Sequence, residues 1–264
     1  MEYVWLVLLG LGVGTLGTLI GVGGGFVLMP VLLLVWPDRD PASLTAVSLA
    51  VVFFNAASGS YSYARMRRID YRSGLLFLIT GIPGAMLGAY LVNFVPRTTF
   101  NFVFSLLLVA GAAYIFFRGV GRSGQSPGPR DTFQRDFVDA HGVHHRYAFS
   151  LARGMSLSIL VGMASSLLGI GGGIIHVPAM VSLLHFPVHI ATATSQFILG
   201  VMSLTGTVVH LCDGSLGPDS AALVAALAGG AVIGAQLGAK LSKRMHGRWI
   251  MRVLAVALAL VGLR

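Results

Sequence analysis

Charged residues are scarce in this chain of 264 residues: 10% are Asp, Glu, Lys or Arg, whereas 55% are hydrophobic. Soluble domains average about 25% charged residues, so this composition argues against a soluble globule. It also argues against disorder, which requires low hydrophobicity. Acidic residues are the rarest, with 9 Asp and Glu against 18 Lys and Arg, for a net charge of +9. The single cysteine, Cys212, excludes a disulfide framework and the Cys-rich metal motifs.

What the chain has in abundance is long uncharged runs. A membrane helix needs about 20 mostly apolar residues, so these runs predict an all-α integral membrane protein. The basic residues cluster between the runs, which is a membrane-protein pattern and not the footprint of a nucleic-acid partner. A cleavable signal peptide is not expected, because the first run is too long and no basic segment precedes it. The runs are 3–37, 41–64, 73–96, 98–117, 154–212 and 220–239, followed by 249–263, which contains only Arg252.

Three ordered matches between the two parts of the chain indicate an internal duplication. A glycine-rich motif followed by a proline occurs at 21–30 and again 148 positions later, at 169–178. The segment 45–48 resembles 192–195, and 84–89 resembles 230–235, at offsets of 147 and 146. The predicted units are a first transmembrane repeat at 1–118, a linker at 119–153 and a second repeat at 154–264.

The distribution of basic residues predicts which way the repeats face. Basic residues concentrate at 65–72, 118–153 and 240–248, and the positive-inside rule places these segments in the cytoplasm. The charges agree with this rule only if 154–184 enters the membrane and returns as two segments broken at the glycines. Each repeat then has about five membrane segments, the first pair being a glycine-broken short hairpin. An odd number of segments inverts the second repeat relative to the first.

The glycine breaks are the predicted substrate site. About ten helical residues follow the first break, or about 15 Å, half of a hydrocarbon core of about 30 Å. Non-helical backbone at that depth is buried in protein or lines a cavity, and the helix that follows offers free N–H groups to an anion. Close helix packing is the alternative and suits the other glycine pairs, at 84/88, 230/234 and 234/238. Three consecutive glycines cost more helix stability than packing requires. The candidate substrate-binding residues are Gly23, Gly24, Gly25, Gly171, Gly172 and Gly173.

The paired Gly-x-Gly-Gly-Gly motifs, each followed by a proline, resemble those of the sulfite exporter TauE/SafE family, also called the toluene-sulfonate uptake permeases. The segment 136–149, DFVDAHGVHHRYAF, is similar to that family's cytoplasmic linker. The resemblance covers nearly the whole chain and implies a carrier for sulfite, sulfonates or related anions, mostly in the bacterial inner membrane. It does not settle whether the carrier imports or exports.

Few large polar side chains fall within the predicted spans. His176 lies three residues after Gly173, where Leu28 stands in the first repeat. Intramembrane ionisable residues are functional candidates, and His176 is expected to act as a protonated anion partner or proton carrier, or as a neutral hydrogen-bond donor. Ser48, Ser195, Asn55 and Gln196 are further candidate substrate contacts, with hydrogen bonding between helices as the alternative.

The linker is the only sizeable polar segment. Its partial alternation at 132–149 is compatible with a short hairpin, with His141 and Gly142 at its middle. His141, His144 and His145 raise the question of a metal site, but the spacing is poor and no Cys or Glu joins them, so no metal is predicted.

The predicted function is secondary transport of a small sulfur oxyanion or organosulfonate by alternating access, in a bacterial cytoplasmic membrane with the linker inside. A passive anion channel of the same architecture is the alternative. An enzyme is disfavoured, because the spans hold no carboxylate pair, nucleophile elbow or His-Glu-x-x-His motif. No cofactor is predicted, and without a Walker motif the chain does not use ATP directly. The expected partners are the small anion and membrane lipids, and a homo-oligomer is compatible with this interpretation.

Overall fold

The computed structural model describes residues 2–118, 133–140 and 142–262. Ten α-helices are found in these ranges, and six segments are long and apolar enough to span a membrane. The prediction of a helical multi-pass membrane protein is therefore confirmed. The helices are α1 (Glu2–Ile20), α2 (Gly25–Val35), α3 (Pro41–Arg65), α4 (Tyr71–Leu91), α5 (Arg97–Arg118), α6 (Leu151–Leu168), α7 (Gly173–Ser182), α8 (Val188–Cys212), α9 (Ala221–Arg244) and α10 (Gly247–Gly262).

Helix starts and stops follow local chemistry. The carboxylate of Asp70 accepts a hydrogen bond from the backbone N–H of Ser73 and so caps the N-terminus of α4. Helix α6 ends at Gly169, whose positive φ of 66° lets its N–H return to the carbonyl oxygen of Ser165. Two short 3₁₀ turns, Val92–Phe94 and Pro218–Ser220, lie in the connections before α5 and α9.

The helices before the linker pack against those after it in a reciprocal pattern. Helix α1 packs on α9 and α4 packs on α6, while α3 packs on α8 and α5 on α10. Small residues permit the closest of these approaches. A Cβ atom on Gly234 would overlap the backbone of Leu11 in α1, and one on Gly84 would overlap the backbone of Ile159 in α6. Helix α3 is the most buried of the six potential spans.

Polar contacts gather the connecting segments at the two ends of these helices. At the end where α3 begins, Arg97 donates to the backbone oxygen of Arg39, Arg39 donates to Ser220, and Asn93 donates to Asp213. We call this the far end, formed by 36–40, 92–96 and 213–220. The hairpin end, where α3 finishes, is formed by 66–70, the described part of 133–150 and 183–187.

The described part of the linker contains the only strands in the ranges that the structure covers. Strands β1 (Phe133–Val138) and β2 (His144–Phe149) pair in an antiparallel hairpin, with Phe133 opposite Phe149. Aromatic rings of β2 pack on the membrane helices, because Phe149 contacts Phe77 of α4 and Phe186 after α7. The β-hairpin is therefore packed against this end of the membrane helices.

Candidate functional site

The two glycine-rich connections lie against each other inside the protein. The first, 21–24, separates α1 from α2, and the second, 169–172, separates α6 from α7. A Cβ atom on Gly25 would lie 2.6 Å from the carbonyl oxygens of both Gly169 and Ile170. A Cβ atom on Gly173 would lie 2.7 Å from the carbonyl oxygen of Gly21. Only glycine allows this approach, and every residue of both connections is buried.

The two connections have the same backbone conformation. Gly24 and Gly172 are the N-caps of α2 and α7 and have φ angles of +84° and +69°. The left-handed region costs an ordinary L-residue roughly 1–2 kcal/mol, which explains glycine at these caps. The same offset of 148 relates the other positive-φ glycines of the two connections, since Gly21 matches Gly169 and Gly23 matches Gly171.

Each connection presents free backbone donors. Within the part of the chain that the structure describes, the N–H groups of Gly25 and Phe26 have no hydrogen-bond acceptor, and neither do those of Gly172 and Ile174. Such groups at a helix N-terminus carry the positive end of the helix dipole. Because they are buried, they favour an anion that can accept their hydrogen bonds.

Ser48 and Ser195 hold the two connections from opposite sides. Ser48 in α3 donates its hydroxyl proton to the carbonyl oxygen of Gly169, at 2.6 Å. Ser195 in α8 donates in the same way to the carbonyl oxygen of Gly21, at 3.0 Å. Ser48 thus ties a helix before the linker to the glycine connection after it, and Ser195 does the reverse. In this conformation both hydroxyl protons are used within the protein.

Asn55 and Gln196 belong to a buried polar cluster that also includes Thr18 and Tyr63. The Asn55 side-chain amide donates to the carbonyl oxygen of Gly23 at 2.9 Å, and its oxygen accepts from the Thr18 hydroxyl at 3.1 Å. Gln196 donates to the Thr18 hydroxyl oxygen, and Tyr63 donates to the Thr18 backbone carbonyl at 2.7 Å. The side-chain oxygen of Gln196 has no partner among the described residues. Thr18 and Tyr63 were missed in the sequence, although Thr18 lies directly before the first glycine motif.

His176 is fully buried in the first turn of α7. Its Nε2 atom lies 3.5 Å from the hydroxyl oxygen of Ser158, and its ring packs on Phe77 at 6.0 Å between centroids. Its Nδ1 atom has no hydrogen-bond partner within the described chain. His176 therefore lies beside the α7 N-terminus with an uncommitted polar atom.

A second polar cluster, also missed in the sequence, lies at the hairpin end. Arg135 of β1 makes a bidentate ion pair with Asp70, with an N–O distance of 2.7 Å, and Tyr147 of β2 donates to the same carboxylate at 2.6 Å. The backbone N–H of Asp70 donates to the hydroxyl of Thr194 in α8. Burial raises the pKa of the Asp70 carboxyl, but hydrogen bonds from Arg135, Ser73 and Tyr147 outweigh this effect and leave the pKa below its ordinary value. Burial, aided by the Asp70 charge, raises the pKa of Tyr147, which therefore remains a donor at physiological pH.

The linker histidines are spread out. His145 lies 3.4 Å from Asp139, and the His144 side chain is exposed. His141 lies outside the described residues. Within the described ranges, no group of three His, Cys, Asp or Glu side chains is arranged to hold a metal ion.

Comparison with known proteins identifies the family. A sequence model described as "Sulfite exporter TauE/SafE" matches residues 6–264, nearly the whole chain. This chain belongs to the TauE/SafE family. The predicted membership of this family is therefore confirmed.

Several proteins named as probable membrane transporters are similar to this chain in sequence. The chain is 33% identical to the probable membrane transporter protein YunE of Bacillus subtilis, over 99% of this chain and 96% of that protein. A probable membrane transporter protein of Methanocaldococcus jannaschii is 26% identical over 78% of this chain and 71% of its own length. One from Xylella fastidiosa is 27% identical over 72% of this chain and 66% of its own length. No solved structure matches this chain. As a TauE/SafE protein, the chain is a multi-pass membrane transporter.

Proposed function

We propose that this TauE/SafE protein is a secondary carrier that moves a small sulfur oxyanion or organosulfonate across a bacterial cytoplasmic membrane. The anion binds between Gly23–Gly25 and Gly171–Gly173, where the N-termini of α2 and α7 lie at mid-depth. The family name supports the sulfite-like class of substrate. The observation that carries the proposal is the pair of buried helix N-termini whose N–H groups have no acceptor in the described chain.

An oxyanion satisfies these N–H groups better than water does. Hydrogen bonds to a charged acceptor are about twice as strong as neutral ones. The dipoles of α2 and α7 add a favourable potential for negative charge. A sulfonate or sulfite group has three oxygens, enough to accept from both helix ends at once.

Alternating access follows from an inverted repeat of α1–α5 and α6–α10. The reciprocal packing supports the inversion, because the first helix of each set packs on the fourth of the other, and third packs on third. In the proposed cycle the two repeats rock about the glycine connections and expose them first to one side and then to the other. The buried connections in the present structure correspond to a closed step of that cycle. The basic clusters orient the hairpin end, with the linker 119–153, toward the cytoplasm.

The polar side chains then have distinct roles. His176 contributes an uncommitted ring nitrogen beside the anion. Ser48 and Ser195 keep the two connections in register and give up their carbonyl partners when the repeats separate. Asn55 and Gln196 support Gly23 and the last turn of α1 through Thr18.

The substrate class is tested with purified protein in proteoliposomes. Saturable uptake of labelled sulfite, or of taurine or sulfoacetate, is expected, and preloading with unlabelled anion should stimulate it through counterflow. Uptake without saturation or counterflow would identify a passive channel instead. Lack of uptake of all these anions, with the protein shown to be folded and inserted, would overturn the proposed function.

The site is tested by filling both N-caps, with Gly24→Leu plus Gly172→Leu. Added side chains would enter space held by Val13 and Ser165 and adopt a disfavoured φ, so we expect uptake to fall at least a hundredfold. The matched control is Gly12→Leu plus Gly229→Leu, because both glycines are exposed and have no atom within 4 Å of an added Cβ. Thermal shifts with sulfite and gel filtration separate lost binding from misfolding, and the Ala pair at 24 and 172 gives a milder variant. Wild-type uptake in the leucine variant would refute the site.

A further inference from the structure

The two glycine connections share a backbone but differ in the side chains around them. Positions 165 and 17 correspond at the offset of 148, and so do 176 and 28. The second repeat has Ser165 and His176 where the first has Gly17 and Leu28. The two connections therefore have the same backbone but different side chains, and the additional polar groups lie beside α7.

Several buried hydroxyl groups lack a hydrogen-bond partner within the described residues, including those of Ser60 and Ser242. Ser165, Ser166 and Thr45 are at most 1% exposed, and their hydroxyls have no hydrogen-bond partner within the described residues. Their counterparts differ in each case. Thr18 is bonded to Asn55, Thr192 donates to the backbone oxygen of Val188, and Gly17 has no hydroxyl. Serine in a membrane helix commonly donates to the carbonyl four residues earlier, so an uncommitted hydroxyl beside a proposed site is a candidate ligand.

Of these residues, Ser165 is the one whose side chain lies against the start of α7. Its oxygen lies 3.1 Å from the position of a Cβ atom on Gly172, the N-cap of that helix. The N–H groups of Gly172 and Ile174 next to it have no acceptor in the described chain. The hydroxyl of Ser166 points elsewhere, since it lies 3.1 Å from a Cβ atom placed on Gly206 of α8.

We infer that Ser165 is a direct ligand of the transported oxyanion and that the anion is bound mainly at the N-terminus of α7. The inference rests on the proposed function and deepens it by choosing one connection over the other. One anionic oxygen accepts from the Ser165 hydroxyl and from the Ile174 N–H group. His176 contributes from the same turn of α7. The first connection, which lacks both side chains, closes over the anion.

The test compares Ser165→Ala with Ser166→Ala, two neighbouring buried serines with uncommitted hydroxyls. Loss of one hydrogen bond to a charged ligand is expected to raise the KM for sulfite about tenfold or more in Ser165→Ala. The Kd for sulfite, measured by calorimetry on the protein in detergent, should rise by the same factor. Ser166→Ala should retain wild-type values, and Ser165→Thr, which keeps a hydroxyl, should recover part of the affinity.

The outcomes separate this inference from the proposed function. If wild-type protein binds and transports sulfite or a sulfonate but Ser165→Ala behaves as wild type, or as Ser166→Ala does, the inference is overturned and the proposed function stands. If wild-type protein binds none of sulfite, sulfate, thiosulfate, taurine and sulfoacetate, both are overturned. Gel filtration and thermal unfolding of each variant show whether a lost signal reflects a misfolded protein.

Discussion

Thr18 shows how one polar residue can organise the inside of a membrane protein. Its hydroxyl accepts from Gln196 and donates to Asn55, while its carbonyl accepts from Tyr63. The side-chain amide of Asn55 in turn donates to the carbonyl oxygen of Gly23. In hydrocarbon no water satisfies these groups, so each bond depends on the others. The cluster therefore fixes the last turn of α1 and the start of the first glycine connection together.

Replacing Asn55 with alanine should destabilise the protein by more than the loss of side-chain volume alone would predict. The variant leaves the Thr18 hydroxyl without its acceptor and the Gly23 carbonyl without its donor, at a cost of about 1–3 kcal/mol. We expect a lower temperature of unfolding in detergent. Asn55→Leu, which restores the side-chain volume but not the hydrogen bonds, should not recover the wild-type temperature. The control is Asn93→Ala, an exposed amide at the far end that donates to Asp213. Equal unfolding temperatures for the two alanine variants would contradict the role of the cluster.

The roles of single residues could be predicted only where the residue type is unusual for its place in the sequence. The six candidate glycines stand out because consecutive glycines interrupt an apolar run, and their ligand role remains a prediction. Thr18 carries no such signal, since its partners Asn55 and Gln196 are 37 and 178 positions away. Ser165 also has no recognisable sequence signal, because only the packing shows that its hydroxyl has no partner and that its side chain lies against α7.

At the scale of elements, the β-hairpin is joined to both sets of helices. Arg135 and Tyr147 reach Asp70 at the start of α4, and the backbone of Asp70 reaches Thr194 of α8. Tilted ring contacts of Tyr147 and Phe149 with Phe186 add an apolar contact beyond α7. The hairpin therefore links the α3–α4 connection to the second set of helices, and the Asp70 carboxylate is the centre of that link.

Asp70→Asn should loosen the hairpin. Removing one charge of a largely buried ion pair costs about 3 kcal/mol, so the population of undocked hairpin should rise about a hundredfold. The measurement is the rate of trypsin cleavage after Arg135 and Arg146 in purified protein. The matched control is Asp136→Asn in the same hairpin, whose pair with Arg146 is exposed and contributes at most about 1 kcal/mol. Equal cleavage rates for the two variants would contradict the link.

The pH dependence of this link follows from the lowered pKa of Asp70. A carboxyl whose pKa is lower in the folded state stabilises that state fully when the pH is above the pKa of the unfolded state, about 3.9. The stabilisation is lost as the pH falls through the folded value. Docking should therefore be constant at neutral pH and weaken only in strong acid, which the same cleavage assay detects with an acid-active protease. The Asp70→Asn variant should lack this acid step.

The elements were predictable to the extent that hydropathy and periodicity define them. Long apolar runs predicted the membrane-spanning helices, since length and apolarity are what the bilayer requires. Docking of the hairpin was not predictable. The arginines at 65–72 were interpreted as orientation signals, and nothing in the sequence shows that the neighbouring Asp70 is buried beneath Arg135 and Tyr147.

At the scale of the whole molecule, the proposed inversion makes corresponding connections face opposite sides of the membrane. The connection 66–70 follows the third helix of the first set, and 213–220 follows the third helix of the second. The structure places the first connection at the hairpin end and the second at the far end. The side of the membrane that each of these two ends faces is measurable.

Cysteine labelling in intact cells measures that sidedness. Cys212 is exposed at the far end, so it is first replaced with serine. Arg67→Cys and Asp219→Cys then introduce single thiols at exposed positions of the two connections. A membrane-impermeant maleimide is expected to label position 219 from outside and position 67 only after the cells are opened. Labelling of both positions from the same side would exclude the inverted repeat.

The contact between the glycine connections also bears on electrical insulation. A membrane potential of 100 mV is worth about 2.3 kcal/mol for each elementary charge, and any file of water through the protein would let protons dissipate it. Where Gly25 meets Gly169, the backbones approach so closely that not even a methyl group fits between them. No file of water passes between the two backbones at that contact. In the proposed cycle the same glycines would therefore both receive the anion and limit leakage of the membrane potential between transport events.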